Sequence, residues 1–347
     1  MARAVARPAW PLNRLLLALS AAAWVAIGGT TAATDQAGPA ANAADEPITP
    51  VPAVIGIAPE KIRLGEKLFR DPRLSHGDAV ACDSCHLLEK GGEDGQAHSK
   101  GLDGRPLDFN TPTIFNAALE FRFNWRGNFQ SLQEQNAAAL LDPRIMNTSW
   151  PELLDKLRGD PGYRSAFAAI YGGDVDPQRL LDALTSFERS LLTPDGRFDR
   201  YLRGEPAAIT RDEAEGYRLF KSYGCIACHQ GVAVGGNLFQ RFGIFENPFA
   251  RRTTITHADL GRFTITGLES DRYVFRVPSL RNVALTAPYF HDGSAGSLEQ
   301  AVAIMARVQL GRTIDDHDIA LIVKFLHTLT GEYQGRPLTS GAERAGP

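Results

Sequence analysis

The sequence predicts a mainly α-helical fold in two similar halves, and three observations predict it. Apolar residues recur at the helical period in several segments, and no stretch of any length alternates as a strand would. A pentapeptide of the form C-x-x-C-H occurs twice, at Cys82-Asp-Ser-Cys85-His86 and at Cys225-Ile-Ala-Cys228-His229, 143 positions apart. C-x-x-C-H is the attachment signature of a c-type haem: two thiols add across the porphyrin vinyl groups, and the adjoining histidine is placed to ligate the iron. Each half is therefore expected to be a cytochrome c-like domain with one covalently bound haem. The two motifs use all 4 cysteines of the 347 residues. A zinc site would pair C-x-x-C ligands with no fixed histidine behind each pair. A disulfide would leave both histidines unexplained.

The bulk properties fit this reading. The length suits about two domains. At 44% hydrophobic and 22% charged the chain has globular composition, and a net charge of −3 gives no reason to expect a nucleic-acid partner. Residues 1–43 read as a signal peptide and leader. Arg3, Arg7 and Arg14 precede an apolar run from Leu15 to Gly28, and small residues follow, with cleavage after Ala33 or Ala43. The apolar run is short for a membrane span. Export, covalent haem and no spare cysteine together imply a periplasmic protein.

In chain order, residues 35–52 read as a flexible leader rich in Ala, Pro and Asp. Residues 58–69 form the first amphipathic helix, with Ile62, Leu64, Leu68 and Phe69 largely on one side, stopped by Asp71-Pro72. The first haem motif follows, and then a glycine-rich polar loop over 91–110 of the kind that is often functional. Helical patterns resume near Leu132, at 150–157 and at 179–192, and 195–204 reads as a junction. The first domain is placed at 55–200 and the second at 201–335. Residues 212–220 repeat the opening helix ahead of the second motif. A loop-rich stretch over 235–288 leads to helices at 297–309 and 315–329.

Each haem iron has two axial positions, and the motif supplies one. Beyond the leader only Met146 and Met305 offer a thioether, which suits electron transfer. Met305 shares a helix face with Leu298, Ala301 and Val302, so on spacing alone it is equally a core residue and an axial ligand. His317 and His327 read as surface or core residues. His98, in the glycine-rich loop, is either solvated or a mobile sixth ligand.

Three segments carry a family resemblance: 64–75 (LGEKLFRDPRLS), 110–116 (NTPTIFN) and 275–293 (FRVPSLRNVALTAPYFHDG). On these the chain resembles, over about residues 58–332, the bacterial di-haem cytochrome c peroxidases, a family that also includes the di-haem enzyme maturing methylamine dehydrogenase. The resemblance implies that the C-terminal haem is a high-potential electron-entry site with His229 and Met305 as ligands. The N-terminal haem, bound at Cys82, Cys85 and His86, would be the peroxide site. Trp125 matches the tryptophan that relays electrons between the haems, and Gln135 matches a distal-pocket glutamine. Asn110, Thr286 and Pro288 match the oxygen ligands of a calcium ion between the domains, donors that suit a hard cation. A homodimer, and a small cytochrome c or cupredoxin as electron donor, are also implied.

Two departures from the family pattern stand out. The removable distal histidine of a Ser-x-Gly-His segment becomes Leu102 in Ser99-Lys-Gly-Leu102, and the distal glutamate that moves protons becomes Ile145. Leucine cannot ligate iron, so the first haem is expected to be open unless His98 swings in. Isoleucine cannot move a proton, and positioned acid/base groups contribute about 10²–10⁴-fold. Glu134, Arg126 or His98 are the candidates to compensate. The leading expectation is a periplasmic peroxidase reducing hydrogen peroxide to water. The alternatives are a di-haem oxidase that modifies a partner protein and a non-catalytic di-haem electron carrier.

Overall fold

The structure is a computed structural model and describes residues 46–250 and 252–339. The signal peptide and leader expected over 1–43 lie outside the described residues, among which no helix is long and apolar enough to cross a membrane. Among the described residues, five helices build the first half: α1 (Pro59–Phe69), α2 (Leu132–Leu141), α3 (Trp150–Gly159), α4 (Pro161–Tyr171) and α5 (Pro177–Ser190). Five more follow: α6 (Arg197–Leu202), α7 (Arg211–Tyr223), α8 (Phe263–Thr266), α9 (Leu298–Leu310) and α10 (Asp316–His327). The fold is mainly α, as expected. Its strands are two short antiparallel pairs, β1 (Phe239–Arg241) with β2 (Val274–Arg276) and β3 (Glu332–Tyr333) with β4 (Arg336–Pro337).

The helices start where polar side chains can satisfy their free N–H groups. Ser131, Ser149, Asp160, Asp176, Ser297 and Asp315 each accept a hydrogen bond from the first turn that follows. Thr210 and Glu213 make a reciprocal capping box on α7. The helix α4 has no counterpart among the helices expected from the sequence, although Asp160-Pro161 opens it and Gly172 closes it in the left-handed conformation.

Each half is built on one close helix crossing, α1 over α5 and α7 over α10, and a glycine permits each. A Cβ on Gly65 would stand 2.0 Å from the Ala183 carbonyl oxygen, and one on Gly216 would stand 1.9 Å from that of Leu321. Two apolar cores form around these crossings. The first joins Leu64, Leu68 and Phe69 of α1 to Leu180, Leu184 and Phe187 of α5. The second joins Tyr217 and Phe220 of α7 to Ile322, Phe325 and Leu326 of α10.

The terminal segments cross over. Ile48 is fully buried in the second core, its segment bridging to Gly231, whereas Leu338 is buried in the first core. The stretch from residue 46 onward is thus packed, not the flexible leader expected over 35–52. Helix α6 contributes Phe198, Tyr201 and Leu202 to the second core, so packing changes sides before residue 200. The join is pinned rather than loose. Thr193 donates its N–H to Asn116 Oδ1 (2.9 Å), and its hydroxyl accepts from Asn116 Nδ2 (2.7 Å) and Asn282 Nδ2 (3.0 Å). Asn116 and Asn282 both take the left-handed conformation ahead of a short helical turn, a further echo of the internal repeat.

Candidate haem sites

Both C-x-x-C-H motifs fold as a single helical turn, Cys82–Ser84 and Cys225–Ala227, placed directly after α1 and its turns and directly after α7. The two histidines make the same hydrogen bond. His86 Nδ1 donates to the Gly92 carbonyl and His229 Nδ1 to the Val234 carbonyl, each at 3.2 Å. A carbonyl only accepts, so the ring proton sits on Nδ1 and Nε2 keeps its lone pair for a metal. Burial lowers the pKa of His86 and takes His229 down to about 4, so both rings are neutral. Burial also raises the thiols of Cys82 and Cys85, and that of Cys225 to about 11. The only three-residue metal-competent group among the described residues is Asp259, His291 and Asp292, far in sequence from the cysteines. No disulfide joins the cysteines.

The second motif opens into an apolar cavity. Cys225, Cys228 and His229 line it together with Met305 of α9, Ile322 and Leu326. The predicted pairing of His229 with Met305 is therefore brought to one cavity, while Met146 is packed in the first core. Arg276 also lines the cavity, with its Nη1 paired to Glu120 Oε1 at 2.6 Å and its Nε donating to the Asn124 carbonyl at 3.2 Å. An apolar chamber with two cysteines and a lone-pair histidine among its lining residues, and a methionine thioether beside them, fits a haem, a flat and largely apolar ring.

The first half contributes to the same cavity. Trp125 and Asn110 line it, and the Trp125 indole N–H donates to the Asn110 carbonyl at 2.8 Å. The Asn110 N–H in turn donates to the His291 carbonyl (2.8 Å), so the tryptophan is fixed between segments of both halves. Asn110, Thr286 and Pro288, expected to share a cation, all line this cavity. Asn110 Nδ2 is engaged by the Gln96 carbonyl, which leaves Oδ1 for another partner.

Around the first motif the glycine-rich loop folds back. Ser99 bonds to Thr111 and reaches Cys85, and Gly92 holds His86. Gln135 Oε1, His98 Nδ1, Asn128 Oδ1 and Arg126 Nε are buried without hydrogen-bond partners. Leu102 is half-buried and held by its N–H to the Arg144 carbonyl, and Ile145 packs against the first core. Of the three compensating candidates, Glu134 is exposed and accepts from the Gln130 N–H, so it does not enter the site. Arg126 bonds Thr264 and lies over the Phe109 ring. His76 pairs with Glu152 at the surface, and His317 and His327 are exposed.

Two polar features were not visible in the sequence. His291 Nε2 bonds Asp259 Oδ1 at 2.9 Å, and Arg252 bridges Asp259 to Asp292. Burial alone would raise Asp259, but His291, Thr256 and Arg252 bring it down to about 2. Arg252 already neutralises both carboxylates, so this cluster reads as an ion-pair network beside Trp125, whose ring meets that of His291 edge-on at 6.4 Å. The second feature is Glu188, a buried carboxyl on α5. His291 and Asp292 belong to the 275–293 segment, but their partner Asp259 is 32 residues from His291, and Glu188 belongs to no motif singled out in the sequence.

Comparison with known proteins agrees with this architecture. The family described as di-haem cytochrome c peroxidase matches residues 59–207. The cytochrome c551 peroxidase of Nitrosomonas europaea is 42% identical over 292 residues, covering 84% of this chain and 86% of that protein. The chain belongs to the di-haem cytochrome c peroxidase family. With the family come two c-type haems as cofactors. A second branch of the family is also near: the methylamine utilization protein MauG of Methylorubrum extorquens is 34% identical over 72% of this chain and 69% of that one. Among solved structures, a MauG-like protein associated with microbial copper homeostasis superposes with a TM-score of 0.70 at 30% identity, covering 83% of this chain and 94% of that one.

Proposed function

We propose that the protein is a periplasmic di-haem peroxidase that reduces hydrogen peroxide to water with electrons from a small cytochrome c or cupredoxin. The asymmetry between its two sites is the observation that carries this reading. His229 and Met305 line one cavity, a pair that would hold a haem iron between them and would suit electron entry. In the first half Met146 is packed in the core, position 102 is a leucine, and Gln135 and His98 carry buried unpartnered polar atoms. That is the composition of a site that admits a small polar ligand.

The haems, when bound, supply the one-electron steps and the iron at which the peroxide O–O bond is cleaved. The chain's residues do the rest. Cys82 and Cys85 would tether one haem and Cys225 and Cys228 the other, and His86 and His229, oriented by their Nδ1 hydrogen bonds, would ligate the irons through Nε2. Trp125, clamped by Asn110, would relay electrons between the two haems. Gln135 orients peroxide through its free Oε1. Asn110, Thr286 and Pro288 hold a calcium ion with oxygen donors at the meeting of the halves. The domains run over 55–200 and 201–335, apart from the exchanged terminal segments, and the leader 1–43 directs export. A homodimer is the proposed assembly.

Steady-state oxidation of a reduced small cytochrome c by hydrogen peroxide tests the reading, run on oxidised and on singly pre-reduced protein. Turnover from the oxidised form is expected from an open first site. Turnover only after pre-reduction would assign a gating ligand, His98. No turnover in either form would sink the peroxidase reading. It would favour the second one, a MauG-like oxidase acting on a partner protein, for which the missing acid at Ile145 is the specific observation.

A further inference from the structure

The two helix crossings correspond residue by residue, and one position breaks the match. The Gly65 position meets Ala183 and Phe187 of α5, and the Gly216 position meets Leu321 and Phe325 of α10. Phe187 therefore corresponds to Phe325, and the next residue, Glu188, corresponds to Leu326. Leu326 lines the cavity that holds Cys225 and His229. By this correspondence Glu188 stands in the matching wall of the first site, and its charge acts directly on Cys82. An acid has replaced a leucine there.

Its surroundings are those of a functional group. Glu188 is 7% exposed, and its Oε2 accepts from Asn136 Nδ2 at 2.7 Å. Asn136 directly follows Gln135, whose Oε1 is buried and unpartnered. The charged groups of the packed elements are engaged elsewhere or exposed, as Glu60, Arg63 and Lys67 of α1 are. On α1, Lys61 is tied to Asp182, and Arg70 to Glu66 and Asp83. On α2, Glu134 caps its own helix, and the Ala117–Leu119 turn packed on α5 is apolar. Cys82 and Asp83 stand beside it on the motif, and Arg189, its neighbour on α5, is exposed. Burial thus acts almost unopposed and pushes the carboxyl up to about 8, the Asn136 bond only partly countering it.

We propose that Glu188 is a proton-carrying residue of the first haem site, taking up a proton when an electron arrives there and releasing it when the electron leaves. The reading rests on the proposed peroxidase function only for the use of that proton. Reduction of peroxide follows H₂O₂ + 2e⁻ + 2H⁺ → 2H₂O, with the electrons from the cytochrome or cupredoxin donor and the protons ultimately from solvent. The carboxyl O–H gives one proton to the site and is restored by another from solvent, so Glu188 is unchanged over the cycle. Ile145 can do none of this.

The test is spectroelectrochemical titration of the full haem-loaded protein across pH, in wild type, Glu188→Gln and Glu188→Leu. In wild type the electron affinity of the first haem should fall up to about tenfold per pH unit as pH rises past about 8. The second haem, walled by Leu326, is the internal control and should lack that dependence in the same window. Both variants should flatten the first-haem curve. A protonated-carboxyl stretch in infrared difference spectra, shifted in deuterium oxide, should vanish with it. A flat first-haem curve in wild type, or a slope that survives both variants, overturns the proposal. Should Glu188→Gln lose haem, Glu188→Leu, which copies the second half, and the wild-type curve still decide. Because no peroxide is used, failure of the peroxidase reading would not be mistaken for failure of this one.

Discussion

Glu188 and Met305 show what single residues do in this fold. A carboxyl pushed up to about 8 against an ordinary value of 4.5 binds its proton more tightly folded than unfolded. The stability it permits is fully present below pH 4.5 and is lost as pH rises through about 8. Glu188→Gln should therefore be more stable than wild type at pH 8 by a few kcal/mol, since each tenfold gain in proton affinity on folding corresponds to about 1.4 kcal/mol. The difference should close towards pH 5, and denaturant melts at several pH values check it. Met305 carries the opposite kind of test. With the thioether replaced in Met305→His, the potential of the second haem should fall by on the order of 0.2 V, part of the roughly 0.8 V that axial ligands span. An unchanged redox titration would remove Met305 from the iron. Of these two residues only the methionine was legible in the sequence, because the family resemblance matches Met305 to an axial ligand. Glu188 becomes meaningful only when two helix crossings can be superposed.

At the scale of elements, the helices that carry the motifs were legible from their apolar period and caps. Observed ends fall within about two residues of those expected for α1, α5, α9 and α10. Helix α4 was missed because its apolar face, Tyr163 and Phe167, is short and its signals are terminal: Asp160-Pro161 before and Gly172 after. What no local pattern shows is which helices touch. Gly65 and Gly216 look like weak points in their helices, yet each lets a partner backbone approach to carbonyl contact. Gly65→Ala and Gly216→Ala should each cost at least about 1–3 kcal/mol, because the added methyl must push two helices apart. Gly159→Ala at the end of α3, where a Cβ meets nothing within 4 Å, should be neutral or stabilising. Equal losses at all three sites in chemical denaturation would refute the crossing geometry.

For the whole molecule, the internal repeat was readable from the two motifs, but the exchange of terminal segments was not, since Ile48 and Leu338 sit in flanks with no period of their own. The exchange is held by buried charge. Arg281 is 2% exposed; its Nη1 meets Asp199 at 2.7 Å, its Nη2 donates to the Thr49 carbonyl and its Nε to that of Val232, both at 2.8 Å. One guanidinium thus joins α6, the segment after residue 46 and the loop behind the second haem motif. Such a pair is costly to desolvate, and breaking it costs more than never having built it. Asp199→Ala leaves Arg281 buried without a counter-charge and should lose about 3–5 kcal/mol. Replacing both partners, Asp199→Leu with Arg281→Met, should recover much of that loss but leave the Thr49 and Val232 carbonyls without their donor. The double variant should therefore regain stability in thermal melts while the segment around Thr49 becomes sensitive to protease. A double variant as unstable as Asp199→Ala would mean that the hydrogen bonds to those two carbonyls, and not the charge pair, hold the exchanged segment in place.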